Sequence, residues 1–336
     1  MPILPYTPEH LPAVAALWNA HAQSEEMPHK RLSQEAFAAK FVTPAAGLHM
    51  VNNVLVQDGE TIGFASGAYK AGTAVGYVTF VLVDGAHRRR GAGTALLHAV
   101  EEGLAAAATR ENGKLASLEA RFFNPVTLEW VVPGSPGHDH PNAPGVDVAG
   151  KGYLFLKNNG YRDVDHENAY YRRLEGFAHS PAITRSLEAL GRQGIEITRY
   201  DPTRHTGLAE LLDDLGSEDW RNILLSNAAR PDGGRPLLIV AHGARVCGFA
   251  GPLDVQPSGR GYFAGIGVHS AYRQRGAGKA LFSSLCMNLQ DIGAQFMTLF
   301  TGENNPARNI YESAGFRIVK CWAGMRKMTE EQKHGS

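Results

Sequence analysis

Arg273-Gln274-Arg275-Gly276-Ala277-Gly278, preceded by Ile266-Gly267-Val268 and followed by Ala280-Leu281-Phe282, is the stretch from which the rest of the chain can be read. The pattern occurs once more, as Val81-Leu82-Val83, then Arg88-Arg89-Arg90-Gly91-Ala92-Gly93, then Ala95-Leu96-Leu97. A little over half of the 336 residues separates the copies, which implies duplication: two similar domains, each with its own turn. In both, an apolar run ends in a polar stretch, then Arg and Gly, then an apolar helical pattern. That order reads as strand, turn, helix. The first backbone N–H groups of a helix lack intrahelical partners, and the helix dipole adds partial positive charge there. Such an end binds phosphate, and glycine lets a diphosphate approach with no Cβ in the way. The residues assigned to this role are Val81, Val83, Arg88, Arg89, Arg90, Gly91, Ala92, Gly93 and Thr94 in the first copy. In the second they are Ile266, Val268, Arg273, Gln274, Arg275, Gly276, Ala277, Gly278 and Lys279.

Two familiar phosphate loops do not fit. A dinucleotide fingerprint needs a third spaced glycine, but Gly278 is followed by Lys279, Ala280 and Leu281; a P-loop needs Gly-Lys-Ser/Thr, which is absent. What remains, R-x-x-G-x-G after a Val-ended strand, resembles motif A of the GNAT superfamily of acyl-CoA-dependent N-acyltransferases. In that family the turn wraps the coenzyme A pyrophosphate. A second stretch, Asn304-Asn305-Pro306-Ala307-Arg308-Asn309-Ile310-Tyr311-Glu312-Ser313-Ala314-Gly315-Phe316, resembles the family pattern N-x-x-A-x-x-hydrophobic-Y-x-x-x-G-F at every fixed position. The resemblance implies acetyl-CoA as the acyl donor, with Asn304 and Arg308 on the coenzyme side. It also implies that Tyr311 protonates the departing thiolate.

Around the turns the two halves repeat one order of elements. The first has a strand at 3–6, helices near 11–22 and 33–41, strands at 48–56, 61–69 and 74–83, a helix over 91–108 and a strand at 115–120. Gln57-Asp58-Gly59-Glu60 signals a hairpin. The second has a strand at 195–200, helices at 207–215 and 220–228, and strands at 236–241, 245–253 and 261–268. A helix over 277–292, a strand at 296–300 and a closing strand at 319–325 follow. The fold class is α/β (α+β): two tandem GNAT-like domains, each a mixed, mostly antiparallel central sheet flanked by helices. Domain boundaries fall at 1–175 and 195–330, with a linker over 176–194 in which 183–190 can form a helix.

The halves differ in their chemistry. Aligning Gly160-Tyr161 with Gly315-Phe316 puts Leu156 where Tyr311 stands, and Leu cannot donate a proton. The first half therefore keeps a coenzyme turn but lacks the family acid, and the chemistry is assigned to the second half. A general base is not evident. The strand Gly261–Val268 carries no ionisable base, and Asp254 and Glu303 are strand-end candidates beside a water relay. The first half also carries a Pro- and Gly-rich loop over 130–145, a length that in compact domains is often functional. Its His138-Asp139-His140 is read as hydrogen-bonding or domain-contacting rather than as a metal site.

The formal net charge is zero, so no bulk field draws the chain to nucleic acid or to a membrane. Three cysteines (Cys247, Cys286, Cys321) read as small apolar residues of a reducing cytoplasm. No apolar run is long enough to span a bilayer and no signal peptide is apparent. The expected function is acetyl transfer from acetyl-CoA to the primary amine of a small molecule or peptide, and a homodimer is left open. The alternatives are an acyl-CoA-binding regulator without turnover and a mycothiol-synthase-like acetyltransferase of a small thiol precursor.

Overall fold

The computed structural model describes residues 2–43, 45–121, 124–230, 232–273 and 276–329. The first stretch of chain forms β1 (Ile3–Pro5), α1 (Leu11–His21), α2 (Gln34–Phe37), β2 (Leu48–Gln57), β3 (Glu60–Lys70), β4 (Val75–Val83), α3 (Ala92–Arg110) and β5 (Ser117–Ala120). Three two-residue strands follow, β6 (Trp130–Val131), β7 (Asp139–His140) and β8 (Val146–Asp147), then α4 (Lys151–Asn158), β9 (Arg162–Arg173) and α5 (Pro181–Gly191). The remainder is β10 (Ile195–Arg199), α6 (Leu208–Leu215), α7 (Glu218–Ala228), β11 (Leu238–His242), β12 (Arg245–Ala250), β13 (Ile266–Val268), α8 (Ala277–Asp291), β14 (Phe296–Gly302), α9 (Arg308–Ser313) and β15 (Arg317–Met328). No helix among the described residues is long and apolar enough to cross a membrane.

These elements form two compact units. Unit one is Met1–Pro136, His140–Asn168 and Lys320–Ser336; unit two is Gly137–Asp139 and Ala169–Val319. In unit one the strand order is β1-β2-β3-β4-β5-β15, antiparallel throughout except for the parallel pair β4–β5. The β2–β3 hairpin turns on Asp58 and Gly59, both at positive φ (52° and 82°), as a two-residue type I′ turn requires. Helix α3 buries Leu96, Leu97, Val100 and Leu104, one apolar stripe at helical spacing, against Leu55, Ala65, Val78, Leu118 and Met325. A Cβ at Gly67 would come 2.7 Å from Val100, so glycine there lets α3 lie close on the sheet. The other face is covered by Trp18, Phe37 and Phe41 against Val54, Phe64 and Leu82. The β4–β5 ladder covers only Val75–Tyr77 against Ser117–Glu119, and β4 then runs on to Val83 without that neighbour.

Unit two repeats the plan. Its sheet β10-β11-β12-β13 is antiparallel. Helix α8 buries Leu281, Phe282, Leu285 and Leu289 on one face; α6 and α7 bury Leu208, Leu211, Leu212 and Leu224 against Ile239 and Phe249 on the other. The helix expected within the linker is α5. Ser180 caps it, its hydroxyl accepting the Ile183 N–H at 3.3 Å, with Pro181 in the first turn. Both halves are thus mostly antiparallel sheets between helices, mixed in unit one by the parallel β4–β5 pair, the α/β class the sequence indicates.

Two segments go elsewhere than the sequence reading placed them. The closing strand assigned to the second half is β15, and from Lys320 onward it belongs to unit one, where Met325 pairs with Ala120 and Met328 with Ser117. Buried Glu119 on β5 needs a countercharge, and Arg326 of β15 supplies it at 2.6 Å. The loop residues Gly137–Asp139 belong to unit two. There Ser258 donates to the Asp139 carboxylate (2.8 Å) and Thr298 Oγ1 to the Asp139 carbonyl (2.9 Å). Arg260, 3% exposed, donates to the Thr298 hydroxyl (2.6 Å), the Thr298 carbonyl (2.7 Å) and Gln256 (2.8 Å). His138 stacks on Phe296 at 3.9 Å, its Nδ1 2.8 Å from the Tyr171 hydroxyl.

Candidate active site

The two arginine–glycine turns have the same construction. After Val83, the Asp84 carboxylate accepts the Ala86 N–H (2.9 Å) and caps a short 3-10 turn over Gly85–His87. After Val268, the His269 ring accepts the Ala271 N–H (3.2 Å) and caps Ser270–Tyr272. Arg88 then reaches back, its Nε donating to the Val83 carbonyl at 2.9 Å; Arg273 does the same to Val268 at 3.0 Å. The leading arginine of each copy therefore braces its own turn, and Arg88 is further held by Glu26 at 2.7 Å. Gly91 (φ 82°) and Gly276 (φ 81°) occupy the left-handed N-cap positions of α3 and α8. The first helical bonds are Ala95 N–H to the Gly91 carbonyl and Ala280 N–H to the Gly276 carbonyl. The N–H groups of Gly91, Ala92, Gly93 and Thr94, and of Gly276, Ala277, Gly278 and Lys279, thus have no helical acceptor, the arrangement by which helix N-termini in general receive anions. Gln274 and Arg275 lie outside the described residues.

The last glycine of each turn has a second role. A Cβ on Gly93 would sit 3.3 Å from the Phe155 ring, and one on Gly278 would sit 3.3 Å from Ile310. Helices α4 and α9 pack against the turns through these equivalent contacts, so the glycine lets a helix lie close.

Helix α9 begins after Asn305, whose side chain accepts the Ala307 N–H (2.9 Å), and ends at Gly315 in the left-handed region (φ 78°). Arg308 donates to the Glu303 carbonyl and pairs with Glu312 at 3.2 Å, so it serves the helix. Tyr311 is 5% exposed, its ring within 5.0 Å of Phe282, 5.8 Å of Tyr170 and 6.1 Å of Phe263. Its hydroxyl makes no hydrogen bond to any described residue. Burial, with a smaller contribution from Tyr170, pushes its pKa up to about 12, so the phenol keeps its proton at neutral pH. Tyr170 itself donates to Glu312 at 3.0 Å. This aromatic surround was not read from the sequence; the only signal is the Tyr170-Tyr171 pair within β9.

Unit one has Leu156 at the equivalent place. The Tyr161 N–H bonds to the Leu156 carbonyl at 3.1 Å past Gly160 (φ 91°), and the Phe316 N–H bonds to Tyr311 at 3.1 Å past Gly315. Leu156 is buried in the α3 core, and Tyr153 faces Asp163 (2.7 Å). As for a base, Asp254 is paired with Arg235 at 3.1 Å, and the Glu303 backbone is engaged by Arg308. A groove of about 330 Å³ in unit two is lined by Ile223, Ser226, Asn227, Arg230, Arg235 and Tyr262 among others. Tyr262 stands one residue before Phe263, which touches the Tyr311 ring.

A profile of the acetyltransferase (GNAT) family matches residues 14–124 and 200–316, together more than half of the chain. No curated protein matches the sequence. Among solved structures, a glucosamine N-acetyltransferase region of a fungal multi-domain GH3 β-N-acetylglucosaminidase superposes with TM-score 0.63 at 15% identity. That superposition covers 97% of this chain and 38% of the fungal one, so the chain spans well under half of that relative. A GCN5-related N-acetyltransferase from Sphaerobacter thermophilus gives TM-score 0.61 at 18% identity, covering 97% of this chain and 95% of the other. A tandem GNAT protein from the clavulanic acid biosynthesis pathway gives 0.57 at 15%, covering 97% and 98%. At such identities the superpositions bear on fold alone, but the two profile matches each contain one of the repeated turns: the chain belongs to the GNAT family of acetyltransferases.

Proposed function

We infer that unit two transfers the acetyl group of acetyl-CoA, its co-substrate, to a primary amine. The observation that carries this reading is Tyr311: a buried phenol that keeps its proton and whose hydroxyl no described residue engages. The α8 end, with Gly276 and Gly278, holds the diphosphate on backbone N–H groups. The amine lone pair attacks the thioester carbon, the C–S bond breaks, and the electron pair leaves on sulfur. Tyr311 gives its hydroxyl proton to that thiolate and regains one as the nitrogen, cationic after the attack, sheds its extra proton through solvent to leave the neutral amide. The amine must lose a proton to attack. The described part of 261–268 bears no carboxylate or imidazole, and Asp254 is engaged by Arg235, so a water relay takes that proton. Unit one, with Leu156 at the position of Tyr311, keeps the anion-binding turn and binds acetyl-CoA without transferring it.

The test is amine-dependent release of free thiol from acetyl-CoA over a panel of primary amines, with the product identified by mass. Gly276→Val, which forces a β-branched residue to φ 81°, should abolish release. Thiol release that ignores the amine, or that survives this variant, would refute the reading.

A further inference from the structure

A cavity of about 310 Å³ in unit two is lined by His138, Arg173, Glu175, Gly293, Ala294 and Gln295. It lies at the end of the unit remote from the glycine turn. Gly276 caps the start of α8 and Gly293 follows its end, and the 15 residues between them span ~22 Å of helix. The cavity is therefore separate from the chemistry inferred at the turn. Strand alternation accounts for its walls. Tyr170, Leu174, Met297 and Leu299 are buried with α8, so Tyr171, Arg173 and Phe296, which alternate with them, face the other way.

To that face the Pro- and Gly-rich loop delivers His138. Its ring lies parallel on Phe296 (3.9 Å, 7°), Nδ1 stands 2.8 Å from the Tyr171 hydroxyl, and the next residue, Asp139, is tied to Ser258 and Thr298. One ring face is covered by Phe296, so the other face and the ring edge are what line the cavity. Burial, and then Arg173, hold its pKa below 6.5 against the pull of Asp139, so the imidazole is neutral at pH 7. It is a fixed, uncharged, flat surface. Three polar side chains surround it without partners among the described residues. Arg173 and Glu175 flank buried Leu174 and make no ion pair with each other. Gln295 is anchored by its backbone, to the Gly259 carbonyl and the Leu174 N–H at 2.9 Å each. A Cβ on Gly259 would stand 3.0 Å from its amide carbon, so glycine there gives the side chain room to lie flat.

These walls select a ligand. A neutral aromatic surface takes a planar ring in a stack. One guanidinium and one carboxylate cancel, so the ligand is neutral overall. It must offer the guanidinium a pair of acceptors and the carboxylate a pair of donors along one planar edge. We propose that this cavity binds the base of a guanine nucleoside, stacked on His138, with Arg173 donating to its O6 and N7 and Glu175 accepting from its N1–H and 2-amino group. Arginine on O6 and N7 is the common bidentate pairing for guanine. The Gln295 amide, donor and acceptor at once, is left for the ribose. Adenine sets its single amino group between acceptors, so it gives the carboxylate one bond and the guanidinium no matched pair. An aromatic amino acid could meet both charges, but its tetrahedral α-carbon takes them out of the plane of a stacked ring.

The test is equilibrium dialysis of the full chain against guanosine, inosine, adenosine and tryptophan, with excess coenzyme A present to occupy the glycine turns. Guanosine should be retained. Adenosine, and inosine, which lacks the 2-amino group, should bind roughly fivefold or more weakly, the discrimination expected of one bidentate pair. Arg173→Gln and, separately, Glu175→Gln should weaken guanosine by a similar factor, and Glu175→Gln should also erase the preference over inosine. Both side chains are exposed, so unchanged unfolding midpoints are expected to report an intact fold. The His138 ring-proton NMR signals, identified by their loss in His138→Gln, should move upfield as guanosine stacks on them. No guanosine retained at ~1 mM, the top of the range for a useful small-molecule site, would overturn the proposal. So would adenosine or tryptophan binding as well as guanosine, or both folded variants binding like wild type.

Discussion

Replacing Tyr311 by Phe removes one oxygen and keeps a ring whose neighbours stand at 5.0 Å (Phe282), 5.8 Å (Tyr170) and 6.1 Å (Phe263). Because no described residue hydrogen-bonds that oxygen, the fold loses no partner, and stability should change by less than ~0.5 kcal/mol, the range of a neutral substitution. Catalysis should respond very differently. A positioned general acid is worth roughly 10²–10⁴ in rate, or about 3–5 kcal/mol of barrier. The loss should fall on kcat, with the KM for acetyl-CoA nearly unchanged, since the proton is needed only as charge develops on sulfur. The wild-type pH profile should carry a matching signature. With the phenol pKa pushed up to about 12, its deprotonation should depress kcat only well above pH 10, later than an unperturbed tyrosine would. The assay is thiol release on an accepted amine, with single-turnover rates to ensure that chemistry is being read. Wild-type single-turnover rates in Tyr311→Phe would mean that water supplies the proton and that Tyr311 only fills the core.

Calorimetry with acetyl-CoA should find two sites per chain, one at each glycine turn; a stoichiometry of one, abolished by Gly276→Val alone, would leave the first turn without a ligand. His29 is buried with its pKa pushed down to about 4 from 6.5, chiefly by desolvation. The unfolded state therefore binds the extra proton first, and the stabilisation, complete above 6.5, drains away as pH falls toward 4. Relative to His29→Gln, denaturant unfolding of the wild type should lose about 2 kcal/mol between pH 7.5 and 5; parallel pH curves would contradict this. Thr298→Val leaves the Arg260 Nε and the Asp139 carbonyl without their partner, so it should cost roughly 2–4 kcal/mol by the same measurement. A loss below ~1 kcal/mol would show that the Gly137–Asp139 segment is held by other contacts.

The repeated turn was legible because its chemistry is local. Gly91 and Gly276 must take positive φ, Asp58-Gly59 must make a two-residue turn, and Gly315 must end a helix, each within a few residues of sequence. The replacement of Tyr311 by Leu156 was legible for the same reason, and the matching bonds from Phe316 and Tyr161 bear out the alignment. What the sequence could not show were destinations. An alternating strand pattern says that 317–328 has a buried face, not that its neighbour is Ser117–Ala120. A Pro- and Gly-rich loop hides the fact that Asp139 meets Thr298 and Ser258. Nothing near Glu119 in the sequence announces its countercharge; only the β5–β15 register, which sets Arg326 opposite it, makes the two a pair.

The pairing of Glu119 with Arg326 spans 207 positions of the chain. During synthesis, β5 leaves the ribosome long before β15 exists, so the sheet of unit one waits with an open edge while the whole of unit two is made. A chain released early, short of Lys320, would harm the unit made first rather than the one made last. An isolated 1–175 fragment would expose that edge and the buried Glu119 together, and should aggregate or unfold. Closing the gap late, through contacts so distant in sequence, also predicts that unit one completes its folding slowly, with the arrival of β15 as its final step.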